Sequence, residues 1–311
     1  MWVIVVLVIA LAVLTAAFAT AVAVTNSRRT PEGVVVPYLN LLAAGRADAA
    51  SAMVDPGVSN SQRLLLTDAT MAQAQARIQI LATRTFGVTS RSATVEATLS
   101  LNGQRYTKDF SVTAGPKEYG LLRTWVLRDP YLVPVSVTSS RENSLSLVSV
   151  AGTNLSSDGS GTQFAYPGVY GVTVPASMST YLTASQTTLV ANSGTAKSIE
   201  LTAQPTQAFQ DSVLTQVQQF VTSCVTAPTN LNTACPYSAR QTNLNSMKVI
   251  SQPTTLSTLT PTRFVSGNAI IQTQQAPVGS YVPSPTTSTF QVWGTISVGA
   301  DGAPTIGDAD S

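Results

Sequence analysis

Early in the chain, apolar residues recur at the three- and four-residue spacing of an amphipathic helix. Thr30 is a residue type that favours helix N-caps, Pro31 suits a first helical turn, and Gly45 is typical of the position just past a helix end. The pattern therefore predicts a helix between Thr30 and Gly45. Its apolar stripe consists of Val35, Leu39 and Leu42.

After this helix, the pattern predicts two more helices and then changes to the two-residue period of β-strands. The helices are predicted over Ala47–Met53 and Thr70–Ala82, and the strands over Thr94–Ser100, Arg105–Val112 and Leu121–Leu127. Asn102-Gly103 lies between the first two strands and is a strong signal for a two-residue hairpin turn. Helices followed by antiparallel strands favour an α+β fold. We predict a cone over residues 28–133, in which a curved antiparallel sheet wraps on a long helix.

Two further modules are predicted after the cone. Residues 134–204 lose the helical period and alternate short apolar runs with Gly- and Pro-containing turns, which indicates a small β-sandwich. Residues 205–311 begin with helical spacing over Ala208–Val221 and continue with Thr- and Ser-rich strands. This last module is predicted to be a second α+β domain, a helix with an antiparallel sheet.

An apolar segment at residues 2–24 predicts a membrane anchor within residues 1–27. As a helix, this segment spans roughly 35 Å, enough to cross the hydrocarbon core of a bilayer, which would make the lipid bilayer a partner. The alternative is a cleaved signal peptide, because Ala17-Phe18-Ala19 resembles a cleavage site. We also expect a cytoplasmic portion to precede the segment.

The two cysteines, Cys224 and Cys235, help to predict the cellular compartment of the C-terminal part of the chain. Two cysteines in a chain without histidine do not make a zinc site, so they form either a disulfide or two buried thiols. A disulfide persists outside the cytosol. The predicted localisation is therefore the cell membrane, in a single pass, with the C-terminal part extracellular.

The amino-acid composition excludes several classes of catalytic and binding site. The 311 residues include no histidine, 10% are charged, and the formal net charge is +2. Lack of histidine excludes Ser-His-Asp and Cys-His catalytic pairs and imidazole metal sites. The low charge density argues against a nucleic-acid-binding face. We therefore predict no catalytic residues, no metal and no cofactor.

The order of these parts resembles a known family. An apolar segment precedes the Pro31–Gly45 helix, a strand ends in Trp125–Pro130, and Tyr166-Pro167-Gly168-Val169-Tyr170 is followed by the Cys224 and Cys235 pair. This order is similar to that of the TcaA-like, membrane-anchored envelope proteins of Gram-positive bacteria, especially actinobacterial members. The resemblance implies that the first outer module is a nuclear-transport-factor-like (cystatin-like) cone. It also implies a role at the cell envelope and no catalytic residues.

Five residues are candidate ligand contacts. Glu96 lies on a predicted strand between Val95 and Ala97, where it faces either the cone or water. Arg123 is a cross-strand ion partner or part of a site for an anionic envelope polymer. Tyr166 and Tyr170 either stack on a glycan or close the edge of the sandwich. The candidates are Glu96, Tyr106, Arg123, Tyr166 and Tyr170.

The leading functional prediction is a non-enzymatic, single-pass cell-envelope protein whose outer modules act in interaction or sensing near the cell wall, with a cell-wall polymer or another envelope protein as partner. One alternative is a small-molecule or lipid-binding cone on a membrane stalk, and another is a hydrolase that uses carboxylates alone. The inward-facing side of the first sheet discriminates between the interaction protein and the ligand-binding cone. A filled interior favours the interaction protein, whereas a cavity containing Glu96 or Tyr106 favours ligand binding. The inward positions are predicted to be Val95, Leu99, Phe110, Val112 and Val126.

Overall fold

The computed structural model describes residues 20, 25, 29–119, 122–140, 145–158, 161–185, 187–192, 194–225 and 233–311. The described residues group into two compact units. Unit 1 comprises residues up to 136 together with 161–171 and 188–197, and unit 2 comprises residues 137–160, 172–187 and 198–311. Residues 134–204, predicted to be a separate sandwich, contribute to both units.

The predicted α+β class is wrong, because the protein is mostly β-sheet. Strands account for 45% of the residues and helices for 20%, and the strands form several small antiparallel sheets. The α-helices are α1 Glu32–Ala43, α2 Ala47–Met53, α3 Asp68–Ala72 and α4 Gln207–Cys224, and the 3-10 helices are Asn60–Gln62, Ala176–Met178 and Tyr237–Ala239.

The strands alternate with short turns along most of the chain. In order they are β1 Ala76–Arg77, β2 Gln79–Phe86, β3 Ser92–Leu101, β4 Gln104–Ala114, β5 Trp125–Leu127, β6 Val133–Ser139, β7 Leu147–Val150, β8 Thr153–Ser156, β9 Gln163–Ala165, β10 Gly168–Thr173, β11 Leu182–Ala184, β12 Thr187–Ala191, β13 Lys197–Leu201, β14 Ala203–Pro205, β15 Leu244–Ser251, β16 Leu256–Leu259, β17 Arg263–Ser266, β18 Ala269–Gln275, β19 Thr286–Phe290, β20 Trp293–Val298 and β21 Pro304–Asp310.

The main sheet of unit 1 has the strand order β2-β3-β4-β5. Its central hairpin joins β3 to β4 through Asn102 and Gly103, whose positive φ angles of 50° and 79° confirm the predicted turn. Alternate residues of β3 and β4 are buried, and α1 packs against β2 and β5. The hairpin and the first two helices were therefore predicted correctly.

The third predicted helix, Thr70–Ala82, is not formed as such. Helix α3 ends at Ala72, and the chain then extends into β1 and β2. β2 pairs antiparallel with β3 from Gln79 opposite Ser100 to Phe86 opposite Thr94. The free energy of this pairing outweighs the helix propensity of the alanines and glutamines, because propensity is a weak preference that tertiary contacts override.

Tyrosines with buried rings join the helices of unit 1 to its strands. The backbone N–H of Tyr131 donates to the Tyr38 hydroxyl at 2.9 Å, and the Tyr131 hydroxyl donates to the carbonyl oxygen of Asn192. The hydroxyls of Tyr166 and Ser51 are 2.9 Å apart. Each pair connects segments distant in sequence, and each removes the cost of burying an unpaired polar group. We call Tyr38, Tyr131, Tyr166 and Tyr170 the tyrosine core; all four are at most 1% exposed.

Unit 2 is built on α4, the longest described helix. Its apolar stripe is buried, and the side-chain amide of Gln216 donates to the carbonyl oxygen of Pro304 and accepts from the N–H of Ile306, which fixes α4 to β21. Two sheets complete the unit around it, with strand orders β15-β18-β19 and β16-β17-β20-β21. Smaller pairings join β7 to β8 and β11 to β14.

A disulfide joins Cys224, the last residue of α4, to Cys235, with their Cα atoms 5.6 Å apart. Both cysteines are fully buried and pack with Ala239 and Ile271. The disulfide therefore ties the C-terminal end of α4 into the core of unit 2, as predicted from the sequence.

Within the part of the chain that the structure describes, no helix is both long and apolar enough to cross a membrane. The segment predicted to be the transmembrane helix, residues 2–24, lies outside the described residues except for Thr20.

The tyrosine core predicts that alkaline conditions destabilise the protein. Burial raises the pKa of Tyr38, Tyr131 and Tyr170 well above the usual value, whereas in the unfolded chain these phenols ionise at about 10. The unfolded state thus binds fewer protons above that pH, and the free energy of unfolding falls as the pH rises. We expect a loss of about 1.4 kcal/mol per buried tyrosine at a pH of about 11, measured by urea denaturation across this range.

Tyr170→Phe provides the control for this prediction. It should cost about 1 kcal/mol at neutral pH, because a buried hydrogen bond is lost, and it should make the decline with pH shallower. Tyr237→Phe changes an exposed tyrosine and should alter neither quantity. An unfolding free energy that stays constant up to a pH of about 11 would contradict the role of the tyrosine core.

A second prediction concerns the disulfide. Cys224→Ala combined with Cys235→Ala should lower the free energy of unfolding by about 3 kcal/mol, because the unfolded chain regains the entropy of an open loop. Urea denaturation measures the difference. Reductant should lower the stability of the wild-type protein to that of the double variant and leave the variant unchanged. Equal stability of the two proteins without reductant would show that the cross-link has no such role.

Candidate functional site

Glu96 lies on the outward face of the main sheet of unit 1. Its carboxylate accepts a hydrogen bond from Arg84 at 3.2 Å, and the side chains of both residues are partly exposed. The neighbouring residues Val95 and Ala97 point the other way and are fully buried. Glu96 thus forms a cross-strand ion pair on a solvated face and does not line the interior of the sheet.

Packed side chains occupy the inward face of the same sheet. Val95, Leu99, Phe110 and Val112 are at most 1% exposed, and the rings of Phe110 and Tyr131 meet edge to face with their centroids 5.9 Å apart. Among the predicted inward positions, only Val126 is partly exposed. The interior is therefore filled at these positions, which is the arrangement that favours an interaction protein over a binding cone.

Tyr106 shares this inward face, opposite Leu99 in the register of β3 and β4. Its hydroxyl oxygen is buried and raises the pKa of Tyr131, although desolvation of the Tyr131 phenol has the larger effect. Burial also raises the pKa of Tyr106 itself. Tyr106 therefore extends the tyrosine core.

Tyr166 and Tyr170 lie inside unit 1. The Tyr170 hydroxyl donates to the carbonyl oxygen of Tyr166 at 2.8 Å and to the sulfur of Met71 at 3.0 Å. A side chain at Gly168 would come within 2.9 Å of Tyr170, so the absence of a Cβ there lets the Tyr170 ring fold back against the backbone. Neither tyrosine presents a ring face to a ligand, which corrects the prediction that they stack on a glycan.

The candidate contact Arg123 lines open pockets. Two grooves, of about 390 and 350 Å³, share Arg29, Thr30, Arg123 and Trp125, and a third pocket of about 180 Å³ adds Lys117 to Arg123 and Trp125. We call this surface, formed by Arg29, Thr30, Lys117, Arg123 and Trp125, the Arg123 groove. It lies entirely within unit 1.

Two walls of backbone form the Arg123 groove. One wall is the segment just before α1, and the other is the segment that leads into β5. The indole N–H of Trp125 donates to the carbonyl oxygen of Arg29 at 3.1 Å and so holds the walls together. Next to it, the hydroxyl of Thr124 donates to the carbonyl oxygen of Pro116 at 2.5 Å, which fixes the loop before β5. The groove is thus defined by direct bonds between its walls.

The charge of the Arg123 groove is positive. Arg29, Lys117 and Arg123 line it, against the carboxylates of Glu32 and Glu118. Glu118 accepts from Arg29 at 2.6 Å, which pairs these two charges, and Glu32 accepts from the hydroxyl of Thr85 at 2.8 Å, so the three cations exceed the two carboxylates by one charge. Guanidinium and ammonium groups donate hydrogen bonds and stay protonated at neutral pH. The groove is therefore suited to bind anions.

Sequence reasoning identified Arg123 but missed the residues that surround it. Trp125 was interpreted as part of a strand, and neither Arg29 nor Lys117 was considered as a ligand contact. A signal was present in the cluster of Lys117, Arg123 and Trp125 around the Gly115-Pro116 turn. Arg29 joins them only through the fold, from 94 residues away.

The described residues contain no group of three or more cysteine, aspartate and glutamate side chains that would hold a metal ion. The Arg123 groove itself offers guanidinium, ammonium, hydroxyl and indole groups, which bind ligands by hydrogen bonds and charge. The chemistry that the groove supports is recognition of an anion.

Comparison with protein-family models, with curated proteins and with solved structures finds no match for this chain. The resemblance to TcaA-like envelope proteins stays a prediction.

Proposed function

We propose that this chain is a non-enzymatic interaction protein that works outside the cytosol and binds an anionic polymer of the cell envelope through the Arg123 groove. The observation that carries the proposal is the convergence of Arg29, Lys117 and Arg123 around Trp125. These cations lie in adjoining pockets rather than in one closed cavity. A polymer with repeated phosphates or carboxylates places successive charges along such a surface, whereas a single small anion contacts only part of it.

The geometry of the cations supports recognition of phosphate or carboxylate groups. An arginine guanidinium presents its N–H groups in a planar fork that matches two oxygens of the same anion. A lysine ammonium contributes a compact positive charge that rotates to suit the ligand. Trp125, fixed by its bond to Arg29, adds an immobile wall that costs little conformational entropy on binding.

The disulfide supports the proposed compartment. Cys224 and Cys235 are joined within the core of unit 2, and such bonds persist in oxidising surroundings such as the cell exterior. An extracellular location also brings the Arg123 groove into contact with envelope polymers.

The alternatives have less support. A small-molecule or lipid-binding cone requires an open interior, but Val95, Leu99 and Phe110 fill the inward face of the sheet. A hydrolase that uses carboxylates alone requires acids placed around a substrate cleft, but Glu96 is paired with Arg84 on the outward face.

Charge removal in the Arg123 groove tests the proposal. Long-chain polyphosphate, titrated into the full chain at low salt and followed by calorimetry, should bind, and Arg123→Gln should weaken its binding about tenfold. Lys117→Gln should have a similar effect. Binding should weaken as salt is added, because exposed charges are screened.

Arg105→Gln is the matched control, because it removes one positive charge from an exposed position of β4 outside the Arg123 groove. It should leave the affinity nearly unchanged. Equal losses of affinity in Arg123→Gln and Arg105→Gln would contradict a defined site, because they would show that binding depends only on the net charge of the protein. Lack of binding to polyphosphate and to purified cell walls would contradict the proposed function.

A further inference from the structure

Unit 2 carries a pocket of about 620 Å³, larger than any one of the three pockets that form the Arg123 groove. It lies on the sheet formed by β16, β17, β20 and β21. The residues that matter here are Thr258, Thr260, Arg263, Val265 and Trp293, and we call the site the Trp293 pocket. Nothing in the proposed function uses this surface.

The strand register places the Trp293 pocket on the outward face of the sheet. Thr258 is opposite Val265, and Val265 is opposite Trp293, so the three residues form one row across β16, β17 and β20. Phe264 of β17 and Ile296 of β20, which occupy the alternate positions of their strands, are buried in the core of unit 2. The Trp293 side chain is 50% exposed, so a large part of its indole surface is available to a ligand.

The rim of the pocket is a fixed turn. The backbone N–H of Thr260 donates to the carbonyl oxygen of Arg263 at 2.9 Å, and the Thr260 hydroxyl accepts from the N–H of Arg263 at 3.1 Å. These bonds close the turn between β16 and β17 and set the position from which the Arg263 side chain extends. A ligand that binds there meets a surface that is already ordered, which reduces the entropic cost of binding.

The Trp293 pocket is lined by an indole ring, hydroxyl groups and one cation. A sugar ring has a face of C–H groups and an edge of hydroxyls. The C–H groups carry a slight positive charge that is attracted to the negative face of an indole ring. Threonine hydroxyls both donate and accept hydrogen bonds, so the exposed hydroxyl of Thr258 suits the hydroxyls of a sugar, while the Thr260 hydroxyl is used by the turn itself.

Arg263 specifies the charge of the ligand. It is the only charged residue between positions 251 and 300. It is exposed on β17, opposite Thr295 of β20. A carboxylate accepts two parallel hydrogen bonds from a guanidinium, the strongest pairing open to this side chain. Asp310 lies opposite Trp293 on β21, on the far side of Trp293 from Arg263, and so does not occupy the same part of the surface.

We propose that the Trp293 pocket is a binding site for a saccharide that carries a carboxylate, with the sugar ring on Trp293, a sugar hydroxyl on Thr258 and the carboxylate on Arg263. The ligand is either a free uronic acid or a residue of an acidic polysaccharide, since both present the same group. This site is separate from the Arg123 groove and has its own test.

The test follows the indole N–H resonance of Trp293 by NMR in the full chain. Glucuronic acid should shift this resonance, and glucose should shift it at least tenfold less strongly at the same concentration. An oligogalacturonide distinguishes the sources: tighter binding than glucuronic acid indicates a polymer, and equal binding indicates a free sugar acid. Either result supports the site.

Matched variants complete the design. Arg263→Gln should remove the preference for glucuronic acid over glucose, and Trp293→Ala should abolish binding, followed here by calorimetry. Lys248→Gln removes an exposed charge elsewhere in unit 2 and should have no effect. Arg123→Gln should also leave this binding intact, so a failure of the polyphosphate site and a failure of this one are distinguishable.

Three outcomes would overturn the proposal. One is an indole resonance that no sugar shifts, and another is an equal response to glucose and glucuronic acid. The third is a Trp293 resonance that shifts with protein concentration alone, which would assign the pocket to contact between two copies of the chain.

Discussion

The hydrogen bond from the Tyr131 backbone to the Tyr38 hydroxyl is the buried contact that joins α1 to the segment after β5 in unit 1. Tyr38 belongs to α1, and Tyr131 follows β5 by a few residues. The bond therefore connects the two elements that carry the walls of the Arg123 groove. Because both rings are buried, the bond is shielded from water, and losing it would leave a polar group unpaired in the core. The buried tyrosines therefore also help to hold the segments next to the Arg123 groove in place.

The two units stabilise themselves by different means. Unit 1 buries tyrosine rings and pairs their hydroxyls with backbone and side-chain groups, whereas unit 2 joins the end of α4 to Cys235 by a covalent bond. Each unit also presents an outward surface that forms pockets. In unit 1 this surface is positively charged, and in unit 2 it carries Trp293. Both surfaces are suited to binding, because their side chains supply hydrogen bonds, charge and an aromatic face.

Local signals predicted the local features of the fold. The turn at Asn102-Gly103, the first two helices and the disulfide follow from residue types whose preferences act over a few positions. The segment Thr70–Ala82 was mispredicted because its pairing partner, β3, lies further along the chain. For Tyr166 and Tyr170 the sequence left two alternatives, stacking on a glycan or closing the edge of the sandwich. Only their contacts with Ser51 and Met71, which are distant in sequence, show that they belong to a core. The Arg123 groove could not be predicted for the same reason, because Arg29 is far from the other groove residues in the sequence and joins them only in the folded chain.

Hydrogen exchange followed by mass spectrometry, on the full chain with and without long-chain polyphosphate, tests the central claim most directly. The claim predicts slower exchange in the segments around Arg29 and from Lys117 to Trp125, with the strands that form the Trp293 pocket unchanged. Protection confined to other segments, or no protection at a polyphosphate concentration that saturates binding, would contradict it.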